Sequence, residues 1–177
     1  MGIAATRIFA FTLASNNGLL RALQTHCHIC AGFDPRTPPL PTPELKKYEA
    51  IWDTGATSSV VTQKVVDECG LVPIGRTIVQ GVSGEETSPT YLVNIILPNN
   101  VGFPNIRVTR GKITDAVDIL IGMDPITKGD FTITNKANKT VFSFRMPSQY
   151  HVDYVKQIHS SAIPGHGPGK RKKGRRR

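Results

Sequence analysis

Residues 48–56 read Tyr-Glu-Ala-Ile-Trp-Asp-Thr-Gly-Ala, a short apolar strand that ends directly in Asp53, Thr54 and Gly55. Such a strand is expected to carry the carboxylate to the centre of the protein. Thr54 can hydrogen-bond locally and hold the turn. Gly55 lets backbone and ligand approach the carboxylate closely. Taken alone, Asp-Thr-Gly is more often an ordinary turn after a strand, so a catalytic interpretation needs support from elsewhere in the chain.

A second segment, residues 118–124, supplies that support with the sequence Asp-Ile-Leu-Ile-Gly-Met-Asp. Its apolar run and glycine can pass beneath the Asp53 loop. From about residue 51 to residue 144, the chain resembles the retropepsin-like aspartic proteases. It is most similar to stand-alone cellular and bacterial members, which carry Gly-Met-Asp or Gly-Leu-Asp here. Retroviral members have an arginine paired with an aspartate, where this chain has Met123 and Thr57, so both partners are replaced and no charge is left unpaired.

The resemblance implies an all-β fold, a closed acid-protease barrel with short helices. Asp53 would be the catalytic acid and base, and Thr54 and Gly55 would hold its loop. Substrate would be bound by the loop, by a glycine-containing flap and by the segment beneath them, at Ala56, Gly81, Val82, Ser83, Gly84, Ile121 and Gly122. Apolar residues near the loop would line the specificity pockets, namely Val60, Val82, Val117 and Ile121.

The chemistry of peptide hydrolysis predicts a homodimer. Without a metal, cofactor or covalent nucleophile, one group must deprotonate water while another protonates the carbonyl oxygen, and two adjacent carboxyls that share a proton do both. The chain holds a single Asp-Thr-Gly, so the second carboxyl is expected from a second copy across a two-fold axis. Asp118 is better explained as the start of a strand, and Asp124 as the N-cap of a helix.

The remaining elements follow from alternation and turn residues, and they contain no βαβ spacing. The N-terminal segment predicts a β-hairpin of Arg7–Ala14 and Leu19–Leu23 around Asn17-Gly18. We expect a strand at 26–31, a connector at Pro35–Pro43, a helix at Gln63–Cys69, a flap hairpin around 80–85, a strand at Ile106–Thr109, a brief helix from Asp124-Pro125 to Gly129, and a hairpin of 131–133 with 141–144.

These elements divide the chain into an N-terminal β extension with a Pro-rich connector (1–44), a protease domain (45–148) and a C-terminal extension (149–177). The net charge of +9 comes mostly from the seven basic residues between Lys170 and Arg177. From Ser160 onward the composition cannot bury a core and predicts a disordered tail. Such a tail would bind polyanions weakly and without sequence specificity.

Several other functions are disfavoured by the sequence. The three cysteines are an odd number, which does not suggest a disulfide framework. Cys27 and Cys30 have the spacing of zinc ligands, but they lie in a segment that alternates like a half-buried strand and no second ligand pair follows, so no metal is expected. No segment reaches membrane-spanning length and Met1–Ala14 makes a poor signal peptide, so a cytoplasmic location is predicted. Two rivals to the homodimeric endopeptidase remain: a catalytically silent peptide-binding or dimerisation module of the same fold, and a nucleic-acid-associated protein that acts through its tail.

Overall fold

The computed structural model describes residues 7–81, 84–114 and 116–161. These residues form ten strands, β1 (Phe9–Ala14), β2 (Gln24–Ala31), β3 (Lys46–Trp52), β4 (Val60–Val61), β5 (Gly75–Gly81), β6 (Gly84–Leu97), β7 (Val101–Arg110), β8 (Ile119–Ile121), β9 (Asp130–Lys136) and β10 (Lys139–Met146). They also form three α-helices, α1 (Gln63–Glu68), α2 (Met123–Ile126) and α3 (Tyr154–Ser161).

Six strands close into a barrel in the order β2-β3-β8-β4-β7-β6, and β6 pairs back with β2. Most neighbours are antiparallel, but β8 runs parallel to β3 and β4 runs parallel to β7. Alternate residues of these strands point inward, as in β3, where Tyr48, Ala50 and Trp52 are buried. The interior is filled by branched aliphatic side chains such as Ile29, Val93, Ile95, Val108 and Ile119. Closure pairs every barrel strand on both sides and leaves β5 as an extra strand on β6.

A second sheet, β1-β10-β9, covers one end of the barrel. Its inner face is aromatic: Phe11, Phe142 and Phe144 are buried and pack around the ring of Trp52 at the end of β3. The ring of Phe131 from β9 lies 5.6 Å from that of Trp52. Trp52 also donates a hydrogen bond from its indole nitrogen to Thr25 Oγ1, at 3.1 Å. This cluster therefore anchors the residue that immediately precedes Asp53.

The closed all-β barrel with short helices is confirmed. The strand at 26–31 corresponds to β2, the flap hairpin to β5 and β6, and the closing hairpin to β9 and β10. The connector Pro35–Pro43 contains neither helix nor strand. The predicted helix at Gln63–Cys69 is α1, with Thr62 at its N-cap position and Gly70 following at a positive φ.

The predicted N-terminal hairpin is wrong. Residues 16–18 do bend, but Leu19–Leu23 forms no strand, and β1 pairs along its whole length with β10 instead. Asp124 is also not an N-cap: Gly122 holds that position and Asp124 lies in the first turn of α2. Helix α3 was not predicted, and it includes Ser160 and Ser161 from the segment expected to be disordered. The rest of the predicted tail lies outside the described residues.

The division of the chain into segments at residues 44/45 and 148/149 stays a prediction. In the structure, β1 and β2 of the first segment pair with strands of the 45–148 segment. Over the described ranges, none of the helices is long and apolar enough to cross a membrane.

Candidate active site

Asp53 leaves β3 at the point where β8 runs alongside it. The Asp53 backbone N–H donates to the carbonyl of Ile121 at 2.9 Å, which continues the parallel pairing of β3 with β8 into the loop. The Gly55 N–H donates to Asp53 Oδ1 at 2.8 Å, and the Ala56 N–H donates to the Asp53 carbonyl at 3.3 Å. The first contact orients the carboxylate, and the second closes the backbone turn of the loop.

Gly122 lies directly beneath this loop, as the sequence predicted for the second segment. A Cβ added to Gly122 would lie 2.7 Å from the backbone carbon of Ser58 and 2.9 Å from the carbonyl oxygen of Ala56. The next residue, Met123, donates its N–H to that same carbonyl at 2.8 Å. The segment 121–123 therefore supports the loop through backbone contacts that leave no space for a side chain at position 122.

Ser59 is a site residue that the sequence analysis missed. It is fully buried, its hydroxyl oxygen accepts the Gly122 N–H at 3.1 Å, and its hydroxyl donates to Asp124 Oδ1 at 2.8 Å. The sequence did indicate that Ser59 is buried, because residues two apart in an extended segment point to the same side and Val61 is buried. One hydroxyl therefore ties the end of the Asp53 loop to the support beneath it.

The other acidic candidates are engaged elsewhere. Asp118 receives a hydrogen bond from Lys64 Nζ at 2.9 Å, and Asp124 receives the one from Ser59. Burial raises the pKa of the Asp124 carboxyl above its ordinary value, while the Ser59 hydrogen bond and the charge of Lys128 lower it. Both carboxylates thus have structural partners of their own.

Asp53 opens onto a groove of about 550 Å³. The Asp53 side chain is half-buried, whereas Thr54 and Gly55 are exposed. The groove walls are mainly apolar, with Leu23, Phe131 and Ile133 among the lining residues. A half-buried carboxylate beside an open, largely apolar surface suits contact with a peptide or with another protein chain.

The remaining predicted substrate-binding residues fall into two groups. Gly81 and Gly84 face each other across the flap hairpin, while Val82 and Ser83 lie outside the described residues. Ile121 and Val117 are buried and Val60 is half-buried. Ile121 contacts the Asp53 loop through its backbone carbonyl, because its side chain belongs to the hydrophobic core.

Cys27 and Cys30 are part of the barrel wall. Both side chains are buried, and burial raises the pKa of the Cys27 thiol to about 12. The thiol is therefore neutral at physiological pH and packs as a small apolar group. Within the ranges that the structure describes, no group of three or more potential metal ligands is found.

Residues 44–128 match the family described as gag-polyprotein putative aspartyl protease. No curated protein gives a significant match. Among solved structures, a retropepsin-like aspartic protease from Rickettsia conorii is similar at 14% identity and a TM-score of 0.50, over 82% of this chain and 99% of that one. At this identity the similarity shows the fold.

Two further structures are similar. They are the retroviral protease-like domain of Ddi1 from Leishmania major (17% identity, TM-score 0.43, 71% of this chain and 95% of that one) and the simian foamy virus protease (18% identity, TM-score 0.38, 59% and 91%).

Proposed function

We propose that this chain is an aspartic endopeptidase that works as a homodimer, since residues 44–128 match the family of gag-polyprotein putative aspartyl proteases and the fold is that of a retropepsin-like aspartic protease. The observation that carries the proposal is the Asp53 loop. Its carboxylate is held by the Gly55 N–H, its backbone rests on β8 and Gly122, and it opens onto a groove. The chain supplies one such loop, and peptide hydrolysis of this kind needs two.

In the proposed dimer, a two-fold axis passes between the two Asp53 side chains. The two carboxyls share one proton, because adjacent like charges cannot both ionise cheaply. The ionised member removes a proton from water, and the water oxygen attacks the peptide carbonyl carbon. The protonated member gives its proton to the carbonyl oxygen, which yields a tetrahedral diol. Proton transfer to the amide nitrogen then breaks the C–N bond and releases an acid and an amine.

Thr54, Gly55 and Ala56 are proposed to shape the loop around substrate, with Gly122 and the Ile121 carbonyl supporting it from below. The Gly81–Gly84 hairpin is proposed as a flap whose tip closes over the peptide. Support comes from its position at the end of a two-stranded β5–β6 arm and from the positive φ of Gly84, which suits a tight turn. A cytoplasmic location is proposed as the setting for this activity.

The dimeric dyad is tested by mixing wild-type and Asp53→Asn chains. The substitution is nearly isosteric, so the fold is expected to persist. A mixed dimer cannot share a proton between two carboxyls and should be inactive. After subunit exchange, peptide cleavage should fall as the square of the wild-type fraction, because only wild-type pairs hold two carboxyls. Activity should also collapse on dilution below the dimer dissociation constant.

The matched control is the substitution Asp67→Asn. Asp67 is an exposed residue of α1, so its substitution should leave activity unchanged at every mixing ratio. A linear fall with Asp53→Asn would mean that each chain holds a whole site, and the homodimeric dyad would be wrong. Full activity of Asp53→Asn alone would exclude Asp53 from catalysis.

A further inference from the structure

A second pocket, of about 310 Å³, lies between three parts of the fold that surround the proposed substrate path. Ser58 contributes the end of the catalytic loop, Arg76 and Thr90 contribute the strands of the flap hairpin, and Lys128 follows helix α2. Arg107 of β7 completes the wall. A peptide that lies between the loop and the flap can therefore place a side chain in this pocket.

The pocket carries an excess of positive charge. Arg76, Arg107 and Lys128 line it, and none of the three forms an ion pair within the described part of the chain. The acidic residue in the wall is Asp124, whose Oδ1 already accepts the Ser59 hydroxyl. Three cations against one engaged carboxylate leave a net charge that favours an anionic ligand.

Thr90, one of the residues that line the pocket, carries a buried hydroxyl. Thr90 is only 2% exposed, and its Oγ1 has no hydrogen-bond partner in the described structure. An unsatisfied buried polar group costs about 1–3 kcal/mol, so such groups usually have a partner in the functional state. Oγ1 lies beside β5: a Cβ added to Gly75 would sit 3.5 Å from it. The hydroxyl can donate to an acceptor that enters the pocket.

We propose that this pocket is a subsite for an acidic side chain of the peptide substrate. The side-chain carboxylate is bound by the guanidinium groups of Arg76 and Arg107, by Lys128 and by the Thr90 hydroxyl. Guanidinium groups bind carboxylates through paired, charge-assisted hydrogen bonds, which give geometric selectivity as well as affinity. This proposal rests on the proposed function, because it assigns the substrate class: peptides with Glu or Asp a few residues from the cleaved bond.

The first arm of the test measures binding without catalysis. Glutarate is titrated into the Asp53→Asn chain while backbone amide shifts are followed by NMR. Saturable shifts are expected at Gly75, Thr90 and Arg107, with a dissociation constant on the order of 1 mM. Glutaramide, neutral and of similar shape, should give none. Arg76→Gln combined with Arg107→Gln should weaken glutarate binding by about tenfold or more, because the charge-assisted hydrogen bonds of both guanidinium groups are lost.

Thr90→Val separates a binding role from a structural one. Valine has the same shape and removes a hydroxyl without a partner, so the free energy of unfolding should rise. Glutarate affinity should nevertheless fall. A hydroxyl with only a structural role would not couple greater stability to weaker binding. If the Thr90→Val chain binds glutarate as tightly as the parent chain, the pocket does not use the hydroxyl and the assignment fails.

The second arm uses the wild-type dimer and pairs of peptides that differ by Glu or Gln at one position two to four residues from the cleaved bond. At one position kcat/KM should favour Glu about tenfold. The ratio should approach one in the Arg76→Gln, Arg107→Gln double variant. The control pair Lys47→Gln, Lys136→Gln removes two exposed cations outside the pocket and should keep the wild-type ratio.

The two arms fail independently. If no peptide is cleaved, the proposed function fails and the glutarate titration still decides whether the pocket binds a carboxylate. If peptides are cleaved with no preference for Glu at any position, the subsite assignment is overturned whatever glutarate does.

Discussion

At the scale of single residues, Gly122 shows how closely the chain crosses itself beneath the Asp53 loop. Gly122→Ala would bring a Cβ within 2.7 Å of the Ser58 backbone, which cannot move without moving the loop. We expect a loss of about 1–3 kcal/mol in the free energy of unfolding, as for other overpacked sites. Urea denaturation followed by fluorescence of Trp52 measures it.

The matched substitution is Gly75→Ala, where the new Cβ would make an ordinary 3.5 Å contact with Thr90 Oγ1. Its free energy of unfolding should lie within about 0.5 kcal/mol of wild type or slightly above it. Equal effects of the two substitutions would show that loss of glycine, and not close backbone packing, sets the cost at position 122.

At the scale of secondary-structure elements, the partner of β1 is the feature that distinguishes the structure from the sequence-based hairpin. Thr12 lies opposite Ser143 in the β1–β10 register, with their side-chain oxygens 2.6 Å apart. A Thr12→Cys, Ser143→Cys chain should therefore form a disulfide under mild oxidation. Peptide mapping by mass spectrometry identifies the bridge and separates it from the three native cysteines.

The predicted N-terminal hairpin is tested with a Thr12→Cys, Leu23→Cys chain. A hairpin with Asn17-Gly18 as its two-residue loop would place residues 12 and 23 opposite each other. This pair should stay reduced under the same conditions. Efficient bridging of residues 12 and 23, with none between 12 and 143, would restore the hairpin and contradict the three-stranded sheet.

At the scale of the whole molecule, the basic C-terminal segment is expected to act independently of the barrel. Deleting residues 165–177 removes the seven basic residues that supply most of the net charge of +9. The melting temperature should stay unchanged, because a segment of this composition cannot bury an apolar core. Affinity for heparin should fall. Its dependence on salt concentration should become shallower, because fewer contacts with anionic groups release fewer counterions.

A full-length chain with those seven residues replaced by glutamine is the control, because it removes the charge and keeps the length. It should match the deletion in both measurements. A large fall in melting temperature on deletion would show that the segment packs on the folded domain.

The strand, the turn of the Asp53 loop and the alternation that indicates a barrel followed from the sequence because each depends on local order, whereas the support of that loop by residues 118–124 followed from the resemblance to a known family. An apolar run, a turn tripeptide and alternating burial are properties of neighbouring residues. Asp124 was misassigned because Asp-Pro is a common helix start, and only the crossing at Gly122 moves the first turn of α2 back by two residues. Ser59 was missed because its partners are more than sixty residues away.

Order along the chain therefore determined the β3 strand, the turn of the Asp53 loop and the β5–β6 hairpin. The tertiary structure alone decided that β1 pairs with β10, that Ser59 joins the loop to Asp124, and that Arg76, Arg107 and Lys128 line one pocket together with Thr90. The physical reason is that these contacts join residues distant in sequence, so they depend on which strand edges and faces remain open once the barrel has closed. Local periodicity carries no information about that competition.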